Sequence, residues 1–295
     1  MKSQLIKSDV LLLITGLIWG FAFVAQRIGM DYVGPFTFNG VRFALGSLSL
    51  IPLVLVTRHK GIAVVSGGKK IGPGKLVFFG GITGLALFMG ASLQQVGLVY
   101  TTAGKAGFIT GLYVVIVPVL WFIRGRRSGS RTWIGAVLAA FGLYLLSVSG
   151  DFTIQYGDLL EIIGAFFWAI HILLIDHFSK RINPIVLSLI QFAFCSVLSL
   201  ITASIFETIA WQGILDAGIP LLYGGLGSVG IAYTLQVVAQ RKAHPAHAAI
   251  ILSLESVFAA IGGWLLLNEY LSTRSKIGCA LMFAGMLFSQ LKKKA

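Results

Sequence analysis

One stretch of this chain is written twice, and that duplication limits the folds open to it. Residues 9–47, moved along by 149 positions, lay Asp9 on Asp158, Trp19 on Trp168, Pro35 on Pro184 and Phe43 on Phe192. Leu11, Ile14, Ala44 and Ser47 also meet identical partners at Leu160, Ile163, Ala193 and Ser196, so 8 of 39 ungapped positions agree. The chain holds only 6 Trp and 7 Pro, and their joint coincidence carries most of the weight. An offset of about half of 295 residues predicts two homologous halves, 1–150 and 151–295. Later segments keep a weaker echo. Gln94 meets Gln236 and Ala106 meets Ala248 at an offset of 142, while Gly135 meets Gly278 and Gly142 meets Gly285 at 143.

The solvent of these halves follows from composition. Hydrophobic residues make up 57% of the chain and charged ones 11%, with a mean hydropathy of +0.89. That describes a chain surrounded mostly by lipid. At roughly 20 apolar residues per crossing, the sequence divides into ten spans, five in each half. Those of the first half are 10–28, 36–56, 76–98, 102–123 and 132–148. Those of the second are 159–178, 185–206, 219–239, 246–267 and 275–291. The expected fold class is all-α integral membrane, and both halves together form one membrane domain. The first apolar run lacks a small-residue cleavage site, so no cleavable leader is expected.

The net charge of +13 raises the question of nucleic acid, and its distribution answers it. Of 23 Lys and Arg, 18 fall at the two termini or in the connections after spans 2, 4, 6 and 8. The alternate connections carry Asp31, Asp151, Glu207 and Asp216 instead. This is the asymmetry of a multi-pass plasma- or inner-membrane protein with both termini in the cytoplasm, and not of a nucleic-acid binder. Five spans per half is an odd number, so the second half enters the membrane from the opposite side. Inverted repeats packed face to face create a cavity near mid-membrane, and two packings of the halves allow alternating access. Small residues four apart, Gly16–Gly20, Gly80–Gly84, Gly107–Gly111 and Ala259–Gly263, mark faces where helices pack closely. Ser66–Gly68 and Gly72–Gly74, with Pro73, read as a connector.

LIWGFAFVAQRIG with its downstream PFTFNGVRF, and IILSLESVFAAIGGWLLLNEYLSTRSKIGCALMFAG, together resemble the drug/metabolite transporter superfamily, EamA-type branch. The resemblance covers nearly the whole chain. It implies a ten-helix secondary transporter whose cargo is a small organic metabolite, an amino acid or related compound, moved outward. Two positions depart from the family pattern. The glutamate that often ends span 4, matching Glu269, is replaced by Arg124–Gly125–Arg126; the proline that often follows the residue matching Glu255 is Ser256. The second departure leaves span 9 free to be straighter.

Few polar residues interrupt the spans. Glu255 lies near the middle of span 9, where an ionised carboxylate costs about 2.5–3.5 kcal/mol on insertion scales. It must face a cavity or the bundle interior, as a substrate-amine or proton site or as a structural group. His171 in span 6 is either a titrating site or a satisfied core histidine. Trp19 and Trp168, with Tyr100, Tyr113 and Tyr233, offer aromatic walls that suit an amphipathic solute. Gln94, Gln236 and Asn39 are uncharged hydrogen-bonding groups, able to serve substrate or helix packing. Arg42, whose repeat mate is Gln191, is expected to pair with an acid near the outer face or to meet an anionic group. Glu161, Asp176, His177 and Lys105 fall near span ends and are expected to be solvated.

No catalytic constellation is present, and no enzyme activity is expected. His244 and His247 stand three apart but lack Cys or carboxylate companions in sequence, so no metal is expected. Cys195 and Cys279 read as buried, inert thiols. No P-loop and no cofactor motif occur. The expected partners are the lipid bilayer and a small-molecule substrate, with proton or ion coupling and oligomeric state left open. A lipid flippase, a small-solute channel and a membrane-embedded enzyme are the rival readings.

Overall fold

A computed structural model describes residues 2–57, 71–147, 155–268, 270 and 272–290. Among them the secondary structure is helical, and no strand occurs. The first half supplies α1 (Lys2–Gly29), α2 (Pro35–Thr57), α3 (Pro73–Tyr100), α4 (Ala103–Gly111), α5 (Tyr113–Ile123) and α6 (Ser130–Ser147). The second supplies α7 (Tyr156–Ser179), α8 (Pro184–Phe206), α9 (Trp211–Asp216), α10 (Gly218–Leu222), a π-helical segment (Tyr223–Tyr233) and α11 (Thr234–Gln240). It ends in α12 (Pro245–Leu252), α13 (Glu255–Leu266) and α14 (Thr273–Gln290).

Among the described residues, eight stretches are long and apolar enough to cross a membrane: Ile6–Gly29, Pro35–Val56, Pro73–Tyr100, Ala103–Ile123, Tyr156–Ser179, Pro184–Phe206, Gly218–Gln240 and Pro245–Leu266. The other two expected spans are helices that fall short of this measure. Ser130–Leu145 is a shorter apolar run, and α14 opens with Arg274 and Lys276. Glu269, Asp151 and Ser66–Gly68 lie outside the described residues.

Proline opens α2, α3, α8 and α12, where its missing N–H costs no helical hydrogen bond. At α8 and α2, side chains cap further free N–H groups. Asn183 Oδ1 accepts from the Ile185 N–H at 2.9 Å. The start of α2 is capped from another helix. Glu207, just past α8, accepts from the Phe36 N–H at 2.7 Å, the Thr37 N–H at 2.8 Å and the Thr37 hydroxyl at 2.7 Å. A carboxylate there satisfies orphan donors and meets the positive end of the helix dipole.

Spans 4 and 9 are each broken in the middle. Between α4 and α5, Leu112 N–H reaches back to Ile109 O and Val115 N–H to Leu112 O, three residues rather than four. Pro118 then withholds another donor from α5. The break between α12 and α13 repeats this pattern at Leu254→Ile251, Ser256→Ser253 and Val257→Leu254. The expectation of a straighter span 9 is therefore corrected. No proline marks the break; at the tightened turn the Ser256 hydroxyl donates to the Gly107 carbonyl of α4.

Packing brings α6 against α14, α2 against α8, α3 against α7 and α8, and α1 against α13 and the π segment. Glycines set the closest approaches. A Cβ on Gly142 would lie 2.6 Å from the Gly278 carbonyl oxygen, and one on Gly285 would lie 2.7 Å from that of Gly135. These four are the glycines that the sequence echo pairs, and they let α6 and α14 touch backbone to backbone. Large apolar side chains such as Ile219, Phe206 and Val56 face outward, while Arg42, Asn39, Glu161 and His171 are buried. Polar groups inside and apolar groups outside are what a lipid solvent demands.

The two ends of the bundle are identified by contacts. Asp9, near the start of α1, meets His247 of α12, which in turn meets Ser289 of α14. Gln95 of α3 reaches Met30, past the far end of α1, and Tyr100 packs edge-on against Tyr156 at the start of α7. At a rise of 1.5 Å per residue, Asp9 and Met30 are separated by about 30 Å, a bilayer core.

Candidate functional site

Between the ends, where α4/α5 and α12/α13 break, lies a cavity of about 30 Å³ lined by Trp19, Phe23, Gln26, Arg42, Gln94, Thr110, Tyr113, Trp168, Ile172, Ser228, Tyr233, Gln236 and Glu255. On this measure a water needs roughly 10–15 Å³, so it has room for about two.

Three aromatic rings form one wall. Trp19 of α1 lies with its ring centroid 4.5 Å from that of Tyr233, and Trp168 of α7 stacks on the same tyrosine at 6.0 Å. Both indoles are anchored. Trp19 Nε1–H donates to the Ser228 carbonyl at 3.4 Å, and Trp168 Nε1–H to Gln94 Oε1 at 3.0 Å. Gln94 passes the chain on through its Nε2–H to Gln26 Oε1 at 3.1 Å, and Gln26 donates to Ala22 O. The amides thus hold the rings at fixed angles, while Gln236 Oε1 has no partner among the described residues.

Two groups of opposite formal charge face the same space. Glu255 opens α13, and its Oε1 accepts from the Tyr113 hydroxyl at 2.8 Å. Arg42 of α2 donates from Nε to Asn39 Oδ1 at 2.9 Å, and its guanidinium lies 4.9 Å from the Phe43 ring centroid. The expected acid partner of Arg42 is absent: among the described residues it makes no ion pair, and its Nη2 has no partner. Asn39 turns the guanidinium toward the bundle interior rather than toward an outer carboxylate, and Asn39 itself is held by Ala91 O.

Of the nine residues that sequence reasoning brought forward, the structure gathers eight around this cavity. His171 stands behind it, edge-on to Trp168 at 5.9 Å, with Nε2–H donating to Gln191 Oε1 at 2.9 Å. Gln26, Ser228 and Thr110 were not singled out beforehand. Neither was the burial of Glu161, whose Oε2 accepts from the Thr110 hydroxyl at 3.0 Å and whose Oε1 has no partner among the described residues. The expectation that Glu161 is solvated is corrected, because α4 and Gly97 of α3 close over it. Asp176 and Lys105 are not free in solvent either. Asp176 is buried and pairs with Lys180 at 2.6 Å, while Lys105 pairs with Asp158 at 2.7 Å. Among the described residues no group of three His, Cys, Asp or Glu is placed to hold a metal. His244 packs edge-on against Trp121, and burial lowers its pKa.

Known proteins place this architecture. The sequence profile of the EamA-like transporter family matches residues 6–148 and again residues 155–290. The chain belongs to the EamA-like transporter family. An uncharacterized transporter of Archaeoglobus fulgidus is 33% identical over 286 residues, covering 97% of this chain and 86% of that one. The uncharacterized transporter YoaV of Bacillus subtilis is 23% identical, over 92% and 93% of the two chains. A solved crystal structure shares the fold with a TM-score of 0.78 at 18% identity, over 96% of each chain. This EamA-like protein is therefore a multi-pass membrane transporter of the drug/metabolite transporter superfamily.

Proposed function

We propose that this EamA-like transporter is a ten-helix secondary carrier built from two inverted halves, 1–150 and 151–295. It exports an amino acid or a related small metabolite across the inner membrane by alternating access. The observation that carries this reading is the shared cavity. Trp19, Arg42, Gln94 and Tyr113 from one half and Trp168, Tyr233, Gln236 and Glu255 from the other line one closed space at two helix breaks. Broken helices at mid-membrane are where carriers of this build hold cargo. A cation and a carboxylate on one cavity suit a zwitterion, and the indole and phenol faces suit an apolar side chain.

The two-half reading has further support. The family profile matches the chain twice. Contacts recur under exchange of the halves: Gly142 meets Gly278 as Gly285 meets Gly135. The test is uptake of radiolabelled neutral amino acids into proteoliposomes, beside a Glu255→Gln control. Saturable uptake by the wild type, lost in the variant, supports the reading; protein-independent uptake of every tracer contradicts it.

One observation favours a lipid-translocating alternative. An apolar groove of about 470 Å³, lined by residues including Phe21, Val24, Ile219 and Tyr223, opens on the outside of α1. Its lining differs from that of the central cavity, since α1 turns Trp19 and Phe23 inward. Movement of a fluorescent phospholipid between leaflets, dependent on the protein, is the result that favours this alternative.

A further inference from the structure

Two acid–base contacts stand at opposite ends of the bundle, and the sequence echo relates them. Asp9 of α1 meets His247 of α12 at 3.0 Å, and Asp158 of α7 meets Lys105 of α4 at 2.7 Å. Asp9 and Asp158 are 149 positions apart, the offset of the first repeat stretch, and Lys105 and His247 are 142 apart, the offset that pairs Gln94 with Gln236. The same acid–base contact is thus made twice. Each joins the first helix of one half to the fourth span of the other.

We propose that Asp9–His247 and Asp158–Lys105 are the two end latches of the transport cycle, one opening each mouth of the central cavity. This rests on the alternating-access reading and adds the groups that switch it. Both pairs tie the halves together, so a rocking motion that opens one end must part the pair at that end. Both are closed in this structure, in keeping with a cavity that holds only water-sized space. The pairs are also partly withdrawn from solvent, with Asp158 4% and Asp9 22% exposed, where separation leaves a charge short of partners.

The His latch is tied to a third helix. His247 Nδ1 lies 3.1 Å from Ser289 Oγ of α14, whose hydroxyl donates to Met286 O at 2.7 Å. Nε2 of the same ring lies 3.0 Å from the Asp9 carboxylate. Asp158 is positioned by its own helix start as well: Oδ2 accepts from the Gln155 N–H at 2.9 Å while it meets Lys105. Each acid therefore presents a fixed carboxylate to a base on a different half.

The test uses the full chain in proteoliposomes of known orientation, with Cys195 and Cys279 replaced by Ala and a single Thr110→Cys on the cavity wall. A membrane-impermeant maleimide is applied from each side in turn. Asp9→Asn is expected to raise labelling at least fivefold from the face bearing the start of α1 and to leave the opposite face unchanged. Asp158→Asn is expected to do the reverse. The exchanged pair Asp9→Lys with His247→Asp is expected to restore the parent pattern. Labelling equal to the parent in both single variants, or raised from both faces in each, overturns the latch assignment. A disulfide formed between Asp9→Cys and His247→Cys gives an independent reading: it must abolish labelling from the α1 face, with recovery on reduction. Its failure to do so also overturns the assignment. The carrier reading is judged separately, by amino-acid uptake of the parent protein, which succeeds or fails whatever the latch variants do.

Discussion

Tyr113 and Glu255 are bonded to each other at 2.8 Å, and each is the first residue of a helix that begins at a mid-span break. They stand 142 positions apart, so the sequence echo that pairs Gln94 with Gln236 also pairs the phenol with the carboxylate. The contact lies where spans 4 and 9 cross, and it is made between the halves. Its chemistry is unequal: one mate donates and the other accepts.

Glu255→Gln keeps the shape and the acceptor for Tyr113 but removes the ionisable group. Transport is expected to fall at least about tenfold, which corresponds to roughly 1.4 kcal/mol in the barrier, while the protein still inserts and elutes as a single species. Initial uptake rates in proteoliposomes, alongside size-exclusion profiles, measure this. Undiminished uptake reduces Glu255 to a packing residue. Tyr113→Phe is expected to cost stability as well, about 1–3 kcal/mol, because it strands a buried acceptor.

The tryptophans separate packing from binding. Trp19→Ala or Trp168→Ala removes a ring worth about 3–5 kcal/mol if its role is core packing alone. A cavity role predicts weakened substrate affinity with a smaller loss of stability. In a protein lacking Trp121, Trp133, Trp211 and Trp264, a transported amino acid should quench the fluorescence of the two that remain. Absence of any response to a verified substrate moves the binding site elsewhere.

The crossing of α6 and α14 is a steric prediction. Gly142→Val and Gly285→Val place a Cβ within 2.6 Å and 2.7 Å of a backbone oxygen. Each is expected to destabilise by about 1–3 kcal/mol or more, since neither backbone can yield cheaply. Gly129→Ala, with nothing within 4 Å of its Cβ, is the control and should unfold with the wild type. Thermal unfolding in detergent reads both. Equal melting for all three contradicts the packing.

Glu207→Gln tests the cap given to α2 from α8. Losing the charge at a helix N-terminus, with one of its acceptors turned into an amide donor, is expected to cost about 0.5–2 kcal/mol. Chemical unfolding curves measure the difference. No change would mean that water replaces the carboxylate at Phe36 and Thr37.

How much of this was legible in the sequence depended on which interactions decide each residue. Trp19 and Trp168 stood out because a rare residue recurred at the repeat offset, and Glu255 because lipid does not tolerate a carboxylate at mid-span. Both reach the cavity. Glu161 was misread because it lies five residues past the start of α7, where span position alone says solvent. Its burial comes from Gly97 of α3 and Thr110 of α4, contacts made across the fold. The break before Glu255 was hidden for a similar reason. Proline announces a break in sequence, whereas here a serine hydroxyl bonded to α4 accompanies it. Arg42 was assigned an acid that the fold does not bring near, because its neighbours Asn39 and Phe43 on the same helix set its direction.

The central claim is that one cavity, lined by both halves, serves each side of the membrane in turn. Counterflow tests it most directly. Proteoliposomes loaded with an unlabelled neutral amino acid are diluted into tracer of the same compound. A carrier that leaves with unlabelled cargo comes back with tracer, and the unlabelled pool inside competes with tracer for exit, so tracer inside should rise transiently above its equilibrium level, and Glu255→Gln should abolish the overshoot. Tracer that climbs monotonically to equilibrium, at a rate proportional to concentration without saturating, would contradict alternating access and point to a channel.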